Sequence, residues 1–274
     1  MSQPLRFALN HITSPQLRFA QFLDLTQELG VRSVEIRNDL PGVEIQDGTP
    51  AAEIRRQAEA RGVEILSINA LYPFDVWNAE RAAKAEELAA YAAACGARGL
   101  VLCPLNSTED KRSAEQRARG LREALTGLMP ILQKHGLTGL VEPLGFPESA
   151  LRLKRVAVAA IDEVGGASVF ELVHDTFHHY LADEREFFPE RTGLVHISGV
   201  EDSTLPKAAI KDAHRVLIGP ADLMDNVGQI RTLLQQGYQG PFSFEPFSEQ
   251  VHRLSDQAGA LRSSMAFVAQ GLER

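Results

Sequence analysis

SVFELVHDTFHH (168–179) runs from an apolar stretch straight into a polar one. Its first part, SVFELVHD (168–175), reads as a buried strand. At the end of that strand come Asp175 and three histidines, His174, His178 and His179, out of only eight in the 274-residue chain. A polar loop can collect such residues by accident. Whether this one did depends on how the other strands end.

Seven further apolar runs read as strands: RFALN (6–10), SVEIR (33–37), EILSINA (64–70), GLVLCPL (99–105), TGLVEPL (138–144), GLVHISG (193–199) and PFSFEPF (241–247). Each is followed by a stretch of helical periodicity, such as QLRFAQFLDLTQELG (16–30) after the first and AERAAKAEELAAYAAACG (79–96) after the third. Gly30, Gly62, Gly96, Gly136 and Gly237 fall where helices should close, and Ser14-Pro15 and Thr49-Pro50 mark expected helix starts. Eight strand–helix units in a chain of this length predict an α/β fold of the (β/α)8 TIM-barrel class. The rival, an open doubly wound sheet, usually carries a glycine-rich phosphate loop after its first strand. Here that loop is LNHITSPQ (9–16), which has no glycine. With no linker and no shift of composition, residues 1–274 read as a single TIM-barrel domain.

The net charge of −8 argues against a nucleic-acid or anionic-membrane surface, because binding phosphates needs a basic patch. MSQPLRFALN (1–10) has no long apolar stretch, so neither a leader nor a membrane span is expected. Two cysteines, Cys95 and Cys103, fit a reduced cytoplasm and read as small buried hydrophobes.

A barrel places its active-site residues at the C-terminal ends of its strands. Those ends read Asn10 and His11, Glu35 and Arg37, Asn69, Pro104 and Asn106, Glu142, Asp175 with His178, His196, and Glu245. A carboxylate in LVEPL or FSFEP is costly to bury unless it is paired or bound to a metal. Glu142, Asp175, His196 and Glu245 lie on the last four strands, which are neighbours around the ring, so their side chains can converge. Three carboxylates and an imidazole suit one divalent ion. The alternative is four separate polar residues, each satisfied by hydrogen bonds or salt bridges.

The chain also resembles the sugar-phosphate isomerase/epimerase superfamily with the xylose isomerase-like TIM barrel, and most closely its inosose (2-keto-myo-inositol) isomerases. The resemblance rests on LNHIT (9–13), VEIRNDL (34–40), INAL (68–71), LCPL (102–105), VEPLGFPE (141–148), HDTFHHY (174–180), VHISGVED (195–202), HRVLIGPAD (214–222) and FSFEPF (242–247), in the family's order. It implies metal ligands at Glu142, Asp175, His196 and Glu245, and substrate contacts at His178, Arg215 and Glu148. The family usually reads G-x-G where this chain has Gly219-Pro220-Ala221.

The expected cofactor is one divalent ion, manganese first, with magnesium, cobalt or zinc as alternatives. The expected substrate is a small keto-sugar or inosose. A metal acting as Lewis acid stabilises the enediolate left when a proton is removed beside a ketone. Glu142 and Glu245 are the candidate acid–base carboxylates. Proton return to the neighbouring carbon gives isomerisation, and return to the opposite face gives epimerisation. A ketose 3-epimerase, a hydroxypyruvate isomerase and a non-catalytic sugar-binding barrel are the alternatives, and a homo-oligomer built on a barrel helix is compatible with the sequence. A DNA-repair endonuclease on the same barrel would need more histidine ligands and a basic groove.

Asn69 reads as a hydrogen-bond donor to a substrate hydroxyl. Arg37 reads as a pocket residue or as the partner of Glu35. Phe74 and Trp77 could wall the sugar, EDKRSAEQRARGLRE (109–123) reads as a solvated helix face, and His174 and His179 read as structural.

Overall fold

The computed structural model describes residues 5–273. The first four residues, part of the stretch read above for a leader, lie outside the described residues, as does Arg274. The first half runs β1 (Phe7–Asn10), α1 (Phe19–Leu29), β2 (Ser33–Arg37), α2 (Ala51–Ala60), β3 (Glu64–Leu71), α3 (Ala79–Cys95), β4 (Gly99–Leu102) and α4 (Ala114–His135). The second runs β5 (Thr138–Val141), α5 (Lys154–Glu163), β6 (Phe170–Asp175), α6 (Thr176–Ala182), β7 (Thr192–Ile197), α7 (Asn226–Gln235), β8 (Phe242–Phe244), α8 (Glu249–His252) and α9 (Gln257–Leu272). The eight strands pair in sequence order, all parallel, and close into a barrel where Phe7, Ala8 and Leu9 of β1 meet Phe242, Ser243 and Phe244 of β8. This is a (β/α)8 barrel. None of the described helices is long and apolar enough to cross a membrane.

Several strands are shorter than their apolar runs suggest, and proline is the reason in three of them. β4, β5 and β8 end before Cys103-Pro104, Glu142-Pro143 and Glu245-Pro246. Proline has no N–H for the ladder and holds the preceding residue extended. Each of those three strands therefore stops at its last ladder position, and the next residue, Cys103, Glu142 or Glu245, sits at the mouth. The helix ends follow the glycines: Gly96, at φ 82°, closes α3, and Gly136, at φ 66°, closes α4. Ser14-Pro15 does not start a helix. Ser14 ends a short turn of 3-10 helix over His11–Thr13, and α1 begins at Phe19.

Side chains alternate across each strand. One set, which includes Leu9, Val34, Ile36, Leu100, Leu102, Val141, Leu172, Val195, Phe242 and Phe244, packs outward against the helices. The other set, Ala8, Leu66, Val101, Leu140, Val173 and Leu194, forms a separate apolar layer inside the barrel. Two residues further along five of these strands come Asn10, Cys103, Glu142, Asp175 and His196.

Two sequence readings are corrected here. Phe74 is fully buried in the outer core, and the Trp77 ring covers Gly127 of α4, where a Cβ would come within 2.3 Å of the ring. Both side chains were spoken for by helix packing, so neither walls the mouth. The run 109–123 is not wholly solvated either. The Asp110 carboxylate is buried between Arg112 and Arg117, and Arg112 also binds Asp75 at 2.8 Å.

His174 and His179 sit behind the mouth. The His174 Nε2 lies 3.1 Å from Gln229 Oε1, and its ring stacks on Phe187. The buried Lys154 ammonium donates to His179 Nδ1 at 2.7 Å and to Glu184 at 2.8 Å. Burial, followed by the Lys154 charge, lowers the His174 pKa well below its usual value and brings that of His179 down to about 3. An unfolded histidine titrates near 6.5, so below that pH the unfolded chain takes up protons that the fold refuses. The stabilisation from these two neutral rings is therefore complete above about pH 6.5 and is lost as pH falls toward the folded values, at roughly 1.4 kcal/mol per pH unit for each ring. Melting temperature should be level from pH 7.5 to about 6.5 and fall from there to pH 5. A profile that stays level down to pH 5 would contradict the neutral state of both rings.

Candidate functional site

The polar layer above the apolar one brings Glu142, Asp175, His196 and Glu245 together. One ligand atom from each lies within 4.8 Å of the others, and all four residues are buried. His196 is central: its Nδ1 is 2.9 Å from Glu142, 3.2 Å from Glu245 and 3.9 Å from Asp175. Its other nitrogen, Nε2, is 3.1 Å from the carboxylate of Glu35, which is itself fully buried and accepts from Ser67 Oγ at 2.6 Å and Ser243 Oγ at 2.5 Å. A proton on Nε2 facing Glu35 leaves the Nδ1 lone pair directed into the cluster, the arrangement by which outer carboxylates orient metal-binding histidines.

The electrostatics ask for a cation. Burial disfavours the charged form of His196, yet Glu245, Glu35 and Glu142 overcome it and raise its pKa well above the usual value. Burial likewise opposes ionisation of Glu245, but His196, Arg215 and Arg37 hold it ionised. Four buried carboxylates face two guanidiniums, and the raised pKa of the imidazole reflects that shortage of positive charge. A divalent ion at the Nδ1 side would supply that charge, and the donor set of carboxylate oxygens and one imidazole fits such an ion.

A cavity of about 330 Å³ opens above the cluster, and Glu142 and Glu245 are the two cluster members on its wall. Of the residues expected to touch substrate, Arg37, Asn69, His178 and Arg215 line it and Glu148 does not. Glu148 pairs with Lys211 at 3.0 Å, outside the lining. Arg37 does not pair with Glu35. It grips Asp39 at 2.7 and 2.8 Å and Glu245 at 3.1 Å. Arg215 is also committed, to Asp175 at 2.7 Å, Glu245 at 3.0 Å and Ser198 at 2.9 Å. Asn69 donates to Glu245 Oε1 at 3.2 Å. His178 keeps a buried Nδ1 with no partner among the described residues, while its ring meets Phe146 edge-on.

Several lining residues carried no functional reading in the sequence. Cys103 was read as a small hydrophobe, yet its thiol donates to Glu142 Oε2 at 3.2 Å. Counting two residues on from Val101 would have placed it in the polar layer. Phe146, Phe247 and Tyr72 form the apolar parts of the wall. Phe247 stacks under Arg215 at 4.9 Å, a contact between separate loops that no local pattern announces.

A parallel barrel with a buried carboxylate–histidine cluster and a cavity at its C-terminal mouth has the architecture of a small-molecule barrel enzyme. The family model for the xylose isomerase-like TIM barrel matches residues 23–270, and the chain belongs to that family. A solved xylose isomerase domain-containing protein from Salmonella typhimurium LT2 is 36% identical, with 100% of each chain covered and a TM-score of 0.89. The IolI protein, solved with a bound zinc atom, is 20% identical over 98% of each chain, with a TM-score of 0.85. An L-ribulose 3-epimerase is 18% identical over 98% of this chain and 95% of its own, with a TM-score of 0.76. The last two likenesses are of fold alone. No curated protein matches.

His196→Ala should lower affinity for divalent ions without unfolding the barrel, since the outer helices bury their apolar faces elsewhere. Titration calorimetry with Mn²⁺, beside a thermal melt, checks this. Unchanged affinity would remove His196 from the site.

Proposed function

We propose that this chain is a metal-dependent isomerase that moves a proton beside a ketone in a small keto-sugar or cyclitol, with 2-keto-myo-inositol (an inosose) as the leading substrate. The convergence of Glu142, Asp175, His196 and Glu245 under a cavity of about 330 Å³ carries this reading. Zinc bound to the IolI protein on the same fold supports a divalent ion here, with manganese as our first choice. The reading takes the chain as one barrel domain working in the cytoplasm.

When bound, the ion supplies Lewis acidity that makes the proton beside a ketone easier to remove. The protein supplies the rest. Asp175 and His196 serve as ligands only, since neither lines the cavity. Glu142 and Glu245 face both the ligand cluster and the cavity, so a carboxylate there can bind with one oxygen and handle a proton with the other. His178 and Asn69 line the space where substrate hydroxyls would sit. Arg37 and Arg215 hold the carboxylates in place, and Phe146 and Phe247 offer apolar surface to a ring.

Chelation should abolish turnover of keto-sugars or inososes, and Mn²⁺ should restore it, with one ion per chain in the active protein. Full activity in metal-free protein would defeat the proposal. Glu142→Gln and Glu245→Gln keep a ligand oxygen but lose a base. If the pair handles protons, at least one of these variants should drop turnover by about 10²-fold or more while retaining part of its metal affinity, as steady-state assays and calorimetry would read.

A further inference from the structure

The two carboxylates on the cavity wall are not equivalent. Glu245 Oε1 accepts from Asn10 at 3.1 Å, Asn69 at 3.2 Å and Arg37 at 3.1 Å. Its Oε2 faces Arg215 at 3.0 Å and His196 at 3.2 Å. Asp175 is as fully engaged, with Oδ1 accepting from the amides of Phe177 and His178 at 2.7 and 3.2 Å and Oδ2 from Arg215 at 2.7 Å. Glu142 differs. Its Oε1 faces His196 at 2.9 Å, and the only partner of its Oε2 among the described residues is the Cys103 thiol at 3.2 Å.

A carboxylate oxygen that already accepts three N–H bonds has no lone pair left for a substrate C–H. A thiol is a weak donor and yields that position readily. Of the cluster's carboxylate oxygens, Glu142 Oε2 is the one on the cavity wall without an N–H or O–H donor.

We infer that Glu142 alone carries the proton, while Glu245 serves as a fixed ligand and electrostatic anchor, and that the reaction is therefore isomerisation on one face rather than epimerisation. The inference rests on the proton-transfer function proposed above. Epimerisation takes a proton from one face of a carbon and returns one to the other face, which calls for carriers on both sides. Moving a ketone to the adjacent carbon needs only one. Glu142 Oε2 takes the proton from the hydroxyl-bearing carbon, the C–H electrons become the double bond, and the carbonyl electrons move onto their oxygen, leaving an enediolate. The resulting carboxylic acid then returns the proton to the former carbonyl carbon. The hydroxyl proton passes to the neighbouring oxygen as the new carbonyl forms. Substrate and product have the same formula, and no oxidant or reductant enters.

The test uses the Mn²⁺-loaded full chain and an inosose or ketose deuterated beside its carbonyl, in ordinary water, followed by NMR and mass spectrometry at low conversion. The expected product is the positional isomer, with deuterium, or solvent hydrogen where the carboxylic acid exchanges first, delivered to the face from which deuterium left. An epimer inverted at the deprotonated carbon would overturn the inference and leave the proposed function standing. Failure of every keto-substrate to exchange or react would overturn both. With unlabelled substrate in D₂O and ion content measured in parallel, Glu142→Gln should slow solvent exchange at both carbons by at least about 10²-fold. Glu245→Gln at saturating Mn²⁺ should slow exchange at least about tenfold less than Glu142→Gln does. Exchange that survives undiminished in loaded Glu142→Gln, or that falls as far in loaded Glu245→Gln, would also overturn the single-carrier assignment.

Discussion

Four carboxylates are buried around one imidazole at the mouth of this barrel, and the surrounding structure is organised to make that tolerable. An isolated buried carboxylate would take a proton and lose its charge. Here Glu35, Asp175 and Glu245 are each ringed by donors. Glu35 takes Ser67, Ser243 and His196, Asp175 takes two backbone amides and Arg215, and Glu245 takes Asn10, Asn69, Arg37 and Arg215. These donors come from β1, β2, β3, β7 and β8, from the first turn of α6 and from the loop before α7. The ring of strands thus supplies in three dimensions what no single segment could.

The same network fixes direction as well as charge. The Glu35 carboxylate below His196 orients the ring, and the two guanidiniums clamp Glu245 from either side. Phe247 and Phe177 sandwich Arg215, at 4.9 and 4.8 Å, so that a fully buried cation is packed as well as paired. A site held this firmly needs little rearrangement to meet a ligand, which is the condition for electrostatic preorganisation. Glu142 is the exception, with one oxygen contacted only by a thiol, and the least constrained carboxylate is the one placed to accept a proton.

The sequence by itself determined a good deal. The alternation of apolar runs with helical periodicity, eight times over, gave the closed parallel barrel. Period-two alternation within TGLVEPL, SVFELVHD and GLVHISG gave the side of the strand on which Glu142, Asp175 and His196 lie. Ring order in a barrel equals chain order, so adjacency of the last four strands could be read without coordinates. The prolines after Cys103, Glu142 and Glu245 lie inside the apolar runs read as strands, and they are why three strands stop short of those runs.

Tertiary structure alone decided which polar groups meet across the barrel. Arg37 was as compatible locally with Glu35 as with the pocket, yet it reaches across to Glu245 because β1, β2 and β8 are neighbours once the ring closes. Glu148 sits at a suggestive spacing but finds Lys211, brought in by the long loop before α7. Trp77 went to the helix layer because Gly127 left room for its ring there. Periodicity reports which face a side chain takes, since that is a local property of the backbone. Partner choice depends on the distance between segments far apart in the chain, and that distance exists only after the barrel has closed.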